Sequence, residues 1–210
     1  METKLTEQES LNIINEMIVR ARSNVQKGSA NSMIYTGYAV AFVAILNFIL
    51  FNTLPESYLN WSFSVWFLMI PSFIIDYYVR RKVDRSAIVK THINSIISTL
   101  WNGFSISVFV LLSVLFSASF VYKTWHYFVV ITPVIMVIVA IGEFVMAKAY
   151  RFKPFLWGAI ILWIGALLCC FFSFFMQKKV DTQFLILALC MISGFVIPGK
   201  MLNKKAKDNV

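Results

Sequence analysis

Six runs of about 20 apolar residues divide the chain, at 33–54, 61–79, 97–121, 127–147, 154–176 and 182–202. A run of that length crosses the roughly 30 Å hydrocarbon core of a bilayer as a helix. It must be helical there, because lipid offers no partner to a free backbone N–H or C=O. The pattern predicts an all-α, polytopic membrane protein. A bundle of six transmembrane helices fills 31–203, an amphipathic cytoplasmic helix precedes it over 1–30, and a basic cytoplasmic tail ends the chain over 204–210. Composition points the same way. Only 14% of the residues are charged and 59% are hydrophobic, whereas a soluble domain carries about 25% charged residues.

The net charge of +9 would suggest nucleic acid in a soluble chain. Here the cations sit in short connections between apolar runs, where they set orientation instead. Lysines and arginines number four before the first run, five between the second and third, three between the fourth and fifth, and four after Pro198. The alternate connections hold Lys123, Lys178 and Lys179 alone. Sixteen cations against three place both termini in the cytoplasm, in an inner (cytoplasmic) membrane. The expected surroundings are the lipid bilayer, with no nucleic acid.

Residues 1–30 carry a different signal. Thr6 and Glu9 have the spacing of a capping box. Beyond it Leu11, Ile14, Met17, Ile18, Ala21 and Val25 fall on one side of a helical wheel, and Glu9, Glu16, Arg20 and Lys27 on the other. Gly28-Ser29-Ala30 is expected to join this helix to the first span. Such a helix lies along the bilayer surface, docks a cytoplasmic protein partner, or pairs with its own copy.

Chemistry-bearing patterns are few. HExxH, GxSxG, GxGxxG and a P-loop are all missing from the sequence. His92 and His126 fall on opposite sides of the membrane in this threading. Cys169, Cys170 and Cys190 lie inside apolar runs without CxxC spacing. No catalytic residue, metal site or cofactor is expected, and the chain reads as a non-enzyme. Asn47 and Asn102 are expected to join helices by side-chain hydrogen bonds. Two acids lie within the runs, Asp76 and Glu143. Both sit near the end of their helix, where the macrodipole disfavours negative charge. Nearby cations are therefore expected to pair with them: Arg80 and Arg81 with Asp76; Lys148, or Arg151 and Lys153, with Glu143. A structural ion pair is the expected role, with a proton- or ion-handling carboxylate as the alternative.

The run RFKPFLWGAIILWIGAL at 151–167 and GFVIPGKML at 194–202 resemble a family of uncharacterised bacterial six-helix membrane proteins. Phe152-Lys153-Pro154, Gly158 and Pro198-Gly199 carry the resemblance. Ala147 and Ala159 depart from it where glycines are expected, as do the charges of Glu143 and Lys148. The family implies the six-helix fold and has no agreed activity; its members often accompany small DNA-binding regulators. Two functions fit the sequence. One is a non-enzymatic accessory or regulatory protein whose N-terminal helix meets a cytoplasmic partner. The other is a small-solute or ion transporter or channel, which would place polar groups near the midplane.

Overall fold

The computed structural model of the chain describes residues 7–55, 58, 62–86, 92–123, 126–175 and 181–208. It is all-helical, with no strand among the described residues. Helix α1 is Glu7–Thr53, 47 residues without a break. A 3₁₀ turn, Phe63–Leu68, leads into α2, Met69–Ser86. Helix α3 is His92–Tyr122. A 3₁₀ turn, His126–Val130, leads into α4, Ile131–Ala149. Helix α5 is Lys153–Cys170 and continues as a π-helical turn, Phe171–Phe175. Helix α6 is the continuous run Asp181–Asp208. It is α-helical at Asp181–Cys190, π-helical at Met191–Val196 and α-helical again at Ile197–Asp208.

Five of these helices are long and apolar enough to cross a membrane: Gly28–Thr53 within α1, Ser95–Tyr122, Phe128–Ala149, Lys153–Phe175 and Asp181–Asp208. The second expected span differs. Its apolar helical part, Phe63–Ile75, is shorter than the other five. It combines a 3₁₀ turn with the start of α2, which gives a rise of about 22 Å at about 2.0 and 1.5 Å per residue. The apolar run ends at Asp76, and Arg80, Arg81 and Lys82 follow.

The joint expected at Gly28-Ser29-Ala30 is not a break: all three residues are helical inside α1. A single glycine in a helix costs about 1 kcal/mol, and here tertiary contact outweighs it. Ala30 and Met33 are buried against Gly199 of α6, and Asn203 of α6 donates to Asn31 at 2.9 Å.

Packing follows the order α2, α1, α6, α5, α4, α3. Helix α6 lies centrally between α1 and α5, and α3 is the least buried of the long helices. Residues 31, 152 and 203–205 meet at one end, where Lys205 sits 5.2 Å over the Phe152 ring and Lys200 donates to Tyr38 at 2.5 Å. This is the basic end.

The opposite end is tied by amides. In the orientation that satisfies both its atoms, the fully buried Asn47 donates to Ser62 Oγ at 3.2 Å and accepts from Trp66 Nε1 at 2.7 Å. Asn52 donates to Asp181 at 3.1 Å. Gln183 Nε2 donates to Ser173 Oγ at 2.6 Å and to the Val129 carbonyl at 3.1 Å. Asn47 thus joins helices as the sequence suggests. Asn102 does not; it is exposed on α3.

Candidate functional site

Glu143 lies on the buried stripe of α4. Met136, Val139, Ala140, Met146 and Ala147 share that stripe at helical spacing, and all are buried. The glutamate therefore takes a core position and is fully buried. Neither carboxylate oxygen has a hydrogen-bond partner among the described residues. The expected ion pair with Lys148 is not formed. Lys148 is five residues on, about 140° around the helix at 100° per residue, and is exposed, as are Arg151 and Lys153.

The α4–α5 turn sets what the carboxyl faces. Helix α4 ends in a Schellman motif: Phe152 N–H donates to the Ala147 carbonyl at 3.0 Å and Arg151 N–H to Lys148 at 3.3 Å. Arg151 occupies the left-handed position usually held by glycine, with φ 50°. Phe152 is extended, and Pro154 starts α5 with its fixed φ and no N–H to leave unpaired. The two helices leave this tight turn antiparallel. Glu143 lies seven residues before Tyr150 and Gly158 six after Phe152. At 1.5 Å per residue both are about 10 Å from the turn, so they share a depth.

Gly158 is the meeting point. A side chain there would begin against the Glu143 Oε2 and against the backbone carbonyl of Gly194 in α6. Gly194 in turn faces the Gly158 carbonyl, 3.0 Å from where its own Cβ would stand. The sequence explains the irregular helix at that carbonyl. In a regular helix Gly194 C=O would accept from residue 198, which is Pro198. Proline has no N–H and its ring clashes with the carbonyl four residues back. The helix widens into the π turn Met191–Val196, where Ile197 N–H reaches back five residues to Ile192.

The site thus brings together two oxygens, Glu143 Oε2 and Gly194 C=O, over one glycine, and the carboxylate has no hydrogen-bond donor among the described residues. A fully charged carboxylate left unpaired away from water is costly, by several kcal/mol even with partial relaxation. Beside Glu143 on α4, a side chain at Gly142 would begin 3.7 Å from the Trp101 ring of α3, and Trp101 packs edge-on to Phe195 at 6.0 Å. A cavity of about 270 Å³ between α3 and α4 is lined by Trp101, Gly103, Phe104, Ile138 and Gly142 among others. A second, of about 480 Å³ between α4 and α5, is lined by Val134, Trp163 and Leu167 among others. Both are mainly apolar, and Glu143 lines neither.

The other expected residues are not gathered here. The side chains of Asp76 and Arg80 lie outside the described residues, as do those of Ile14, Ile18, Ala21 and Val25. Arg81 is exposed and lies 5.9 Å over the Tyr77 ring. Leu11 and Met17 are exposed on α1. Neither the Gly194–Pro198 spacing nor Gln183 stood out in the sequence. The first was visible as a proline four residues after a glycine; the second, at the edge of an apolar run, was indistinguishable from an interfacial residue.

No protein-family model matches the chain, and neither a curated protein nor a solved structure is similar to it.

Proposed function

We propose that the chain is a six-span protein of a cytoplasmic (inner) membrane, with both termini cytoplasmic, and that it acts as a non-enzymatic accessory or regulatory protein engaging a cytoplasmic protein partner through the amphipathic extension of α1. The sixteen-to-three distribution of lysine and arginine supports the orientation. The Phe63–Ile75 helix would complete the sixth span by local thinning of the bilayer and by snorkelling of Arg80 and Arg81.

One observation carries the partner reading: α1 runs unbroken from Glu7 to Thr53. At 1.5 Å per residue it is about 70 Å long, more than twice the roughly 30 Å of a hydrocarbon core. Helices bend gently unless a proline, a bulge or an inserted group kinks them. A helix that crosses the membrane and continues without a break cannot turn to lie flat on the bilayer. Its first twenty residues extend about 30 Å into the cytoplasm, where Leu11, Ile13 and Met17 are exposed. That disfavours the membrane-surface alternative and leaves a protein to cover them.

The test uses full-length tagged protein with a photo-crosslinker at Leu11 or Met17, captured from its native membrane. A stoichiometric cytoplasmic protein crosslinked at both positions is expected. Leu11→Asp with Met17→Asp is expected to lose it while insertion and thermal stability stay unchanged. Crosslinks to a second copy alone, to lipid alone, or unaffected by the aspartates contradict the reading.

Glu143 favours a second reading, a transporter or channel of a small solute or ion, because intramembrane acids mark such pathways. Against it, the two cavities are mainly apolar and do not reach the carboxyl. Flux of a solute into proteoliposomes that Glu143→Gln abolishes would establish it.

A further inference from the structure

We propose that the crossing of α4, α5 and α6 is a binding site for one small monovalent cation, a proton or an alkali-metal ion, shared by the Glu143 carboxylate and the Gly194 carbonyl over Gly158. This does not depend on the partner reading.

Three observations converge. Glu143 is fully buried and both its oxygens lack a partner among the described residues. The Gly194 carbonyl borders the same Gly158 position as Glu143 Oε2. Pro198 has no N–H to donate to that carbonyl as residue 198 of a regular helix would, and the helix takes a π turn there. Two electronegative oxygens bordering one position repel each other. A positive charge between them turns the repulsion into attraction. Interrupted helices hold cations in this way in membrane proteins, with the freed backbone carbonyls as ligands. A divalent ion is the poorer occupant, because one carboxylate would leave its second charge uncompensated in an apolar interior.

The cations on α4, α5 and α6 are paired elsewhere or exposed. On α6, Lys200 donates to Tyr38, and Cys190 Sγ lies 3.8 Å from the Ile161 carbonyl. On α5, Lys153 is exposed, as is Lys148 on α4 itself. From α3, Trp101 stands beside Gly142, the residue before Glu143, and does not titrate. None supplies the missing charge.

Whatever binds the folded state alone raises its stability with concentration. The purified full-length protein is therefore melted across a pH series at fixed salt. It is also melted across Na⁺, K⁺ and Li⁺ series at fixed pH, with choline chloride holding ionic strength. The Tm of the wild type is expected to climb with each tenfold rise in the bound species and not with choline. Glu143→Gln is expected to keep a high Tm, because its amide N–H donates directly to the Gly194 carbonyl, and to lose the dependence. Loss on the pH axis assigns a proton; loss on one alkali axis assigns that ion. A variant that keeps both dependences, or a wild type with neither, overturns the proposal. If Glu143→Gln is not recovered folded, infrared spectra of the wild type decide. A neutral carboxylic-acid stretch that survives at neutral pH assigns the proton. A carboxylate band that moves when choline replaces Na⁺ assigns the alkali ion. A carboxylate band indifferent to both overturns the site.

Discussion

Gly158→Val is expected to leave little protein that survives detergent extraction as a single folded species. The first carbon of any side chain at 158 would stand against the Gly194 backbone carbonyl and the Glu143 carboxylate. The carboxylate could turn aside. The carbonyl cannot, because Pro198 blocks its return to the helix axis. Helices α5 and α6 would have to separate, and with them the turn-locked pair α4 and α5. Overpacking a well-packed interior typically costs 1–3 kcal/mol, and a backbone clash belongs at or above the top of that range, about 3 kcal/mol. Gly103→Ala is the control. Nothing lies within 4 Å of a side chain at 103, and alanine is the better helix former. Size-exclusion profiles and melting of the two variants check the contrast. A valine variant that melts with the wild type would mean that the α5–α6 contact is not as close as described.

Phe155→Ala is expected to lower stability by about 3 kcal/mol, toward the low end of the range for removing a buried phenylalanine. Phe155 is fully buried at the start of α5, with its ring 5.3 Å from Phe152 and 6.2 Å from Tyr150. In a membrane the unfolded helix exposes this ring to lipid, which is as apolar as the core. The loss then comes from missing packing contacts and the cavity left behind. The cavity would sit under the Schellman turn that sets the depth of Glu143 against Gly158. Equilibrium unfolding in mixed micelles measures the change; a loss under about 1 kcal/mol would show that the cluster collapses to fill the space.

The helices were legible in the sequence because a bilayer leaves the backbone almost no alternative. The runs beginning near residues 33, 97, 127, 154 and 182 each correspond to a helix long enough to span. The second run is shorter as a helix, since Asp76 and a 3₁₀ turn cut it from both sides. The continuity of α1 was not legible. Gly28-Ser29-Ala30 reads as a hinge only if nothing packs there, and the contacts of Ala30 and Met33 with Gly199 come from α6, some 170 residues away in the chain.

Glu143 was legible as an unusual residue and misjudged as a surface-seeking one. In a soluble helix, apolar spacing separates a buried face from a wet one. In α4 nearly every position is apolar, so the face holding Met136, Ala140, Glu143 and Ala147 has no contrast with its neighbours. Small residues were the better signal: Ala140 and Ala147 flank Glu143 on its own face, and Gly158 answers across the turn. Close helix approach needs such residues, and a glutamate among them points inward.

The most direct test of the account is the distance between spin labels at Leu11 and Phe42, introduced bioorthogonally so that all three cysteines remain, in protein held in a lipid nanodisc. Both positions are exposed on α1. One continuous helix separates them by 31 residues, about 46 Å at 1.5 Å per residue. A right-angled break at Gly28, with the first segment lying on the bilayer, would bring them to about 33 Å. A narrow distribution near the longer distance is the predicted result. A distribution centred near the shorter one would return the N-terminal helix to the membrane surface and remove the partner-engaging extension.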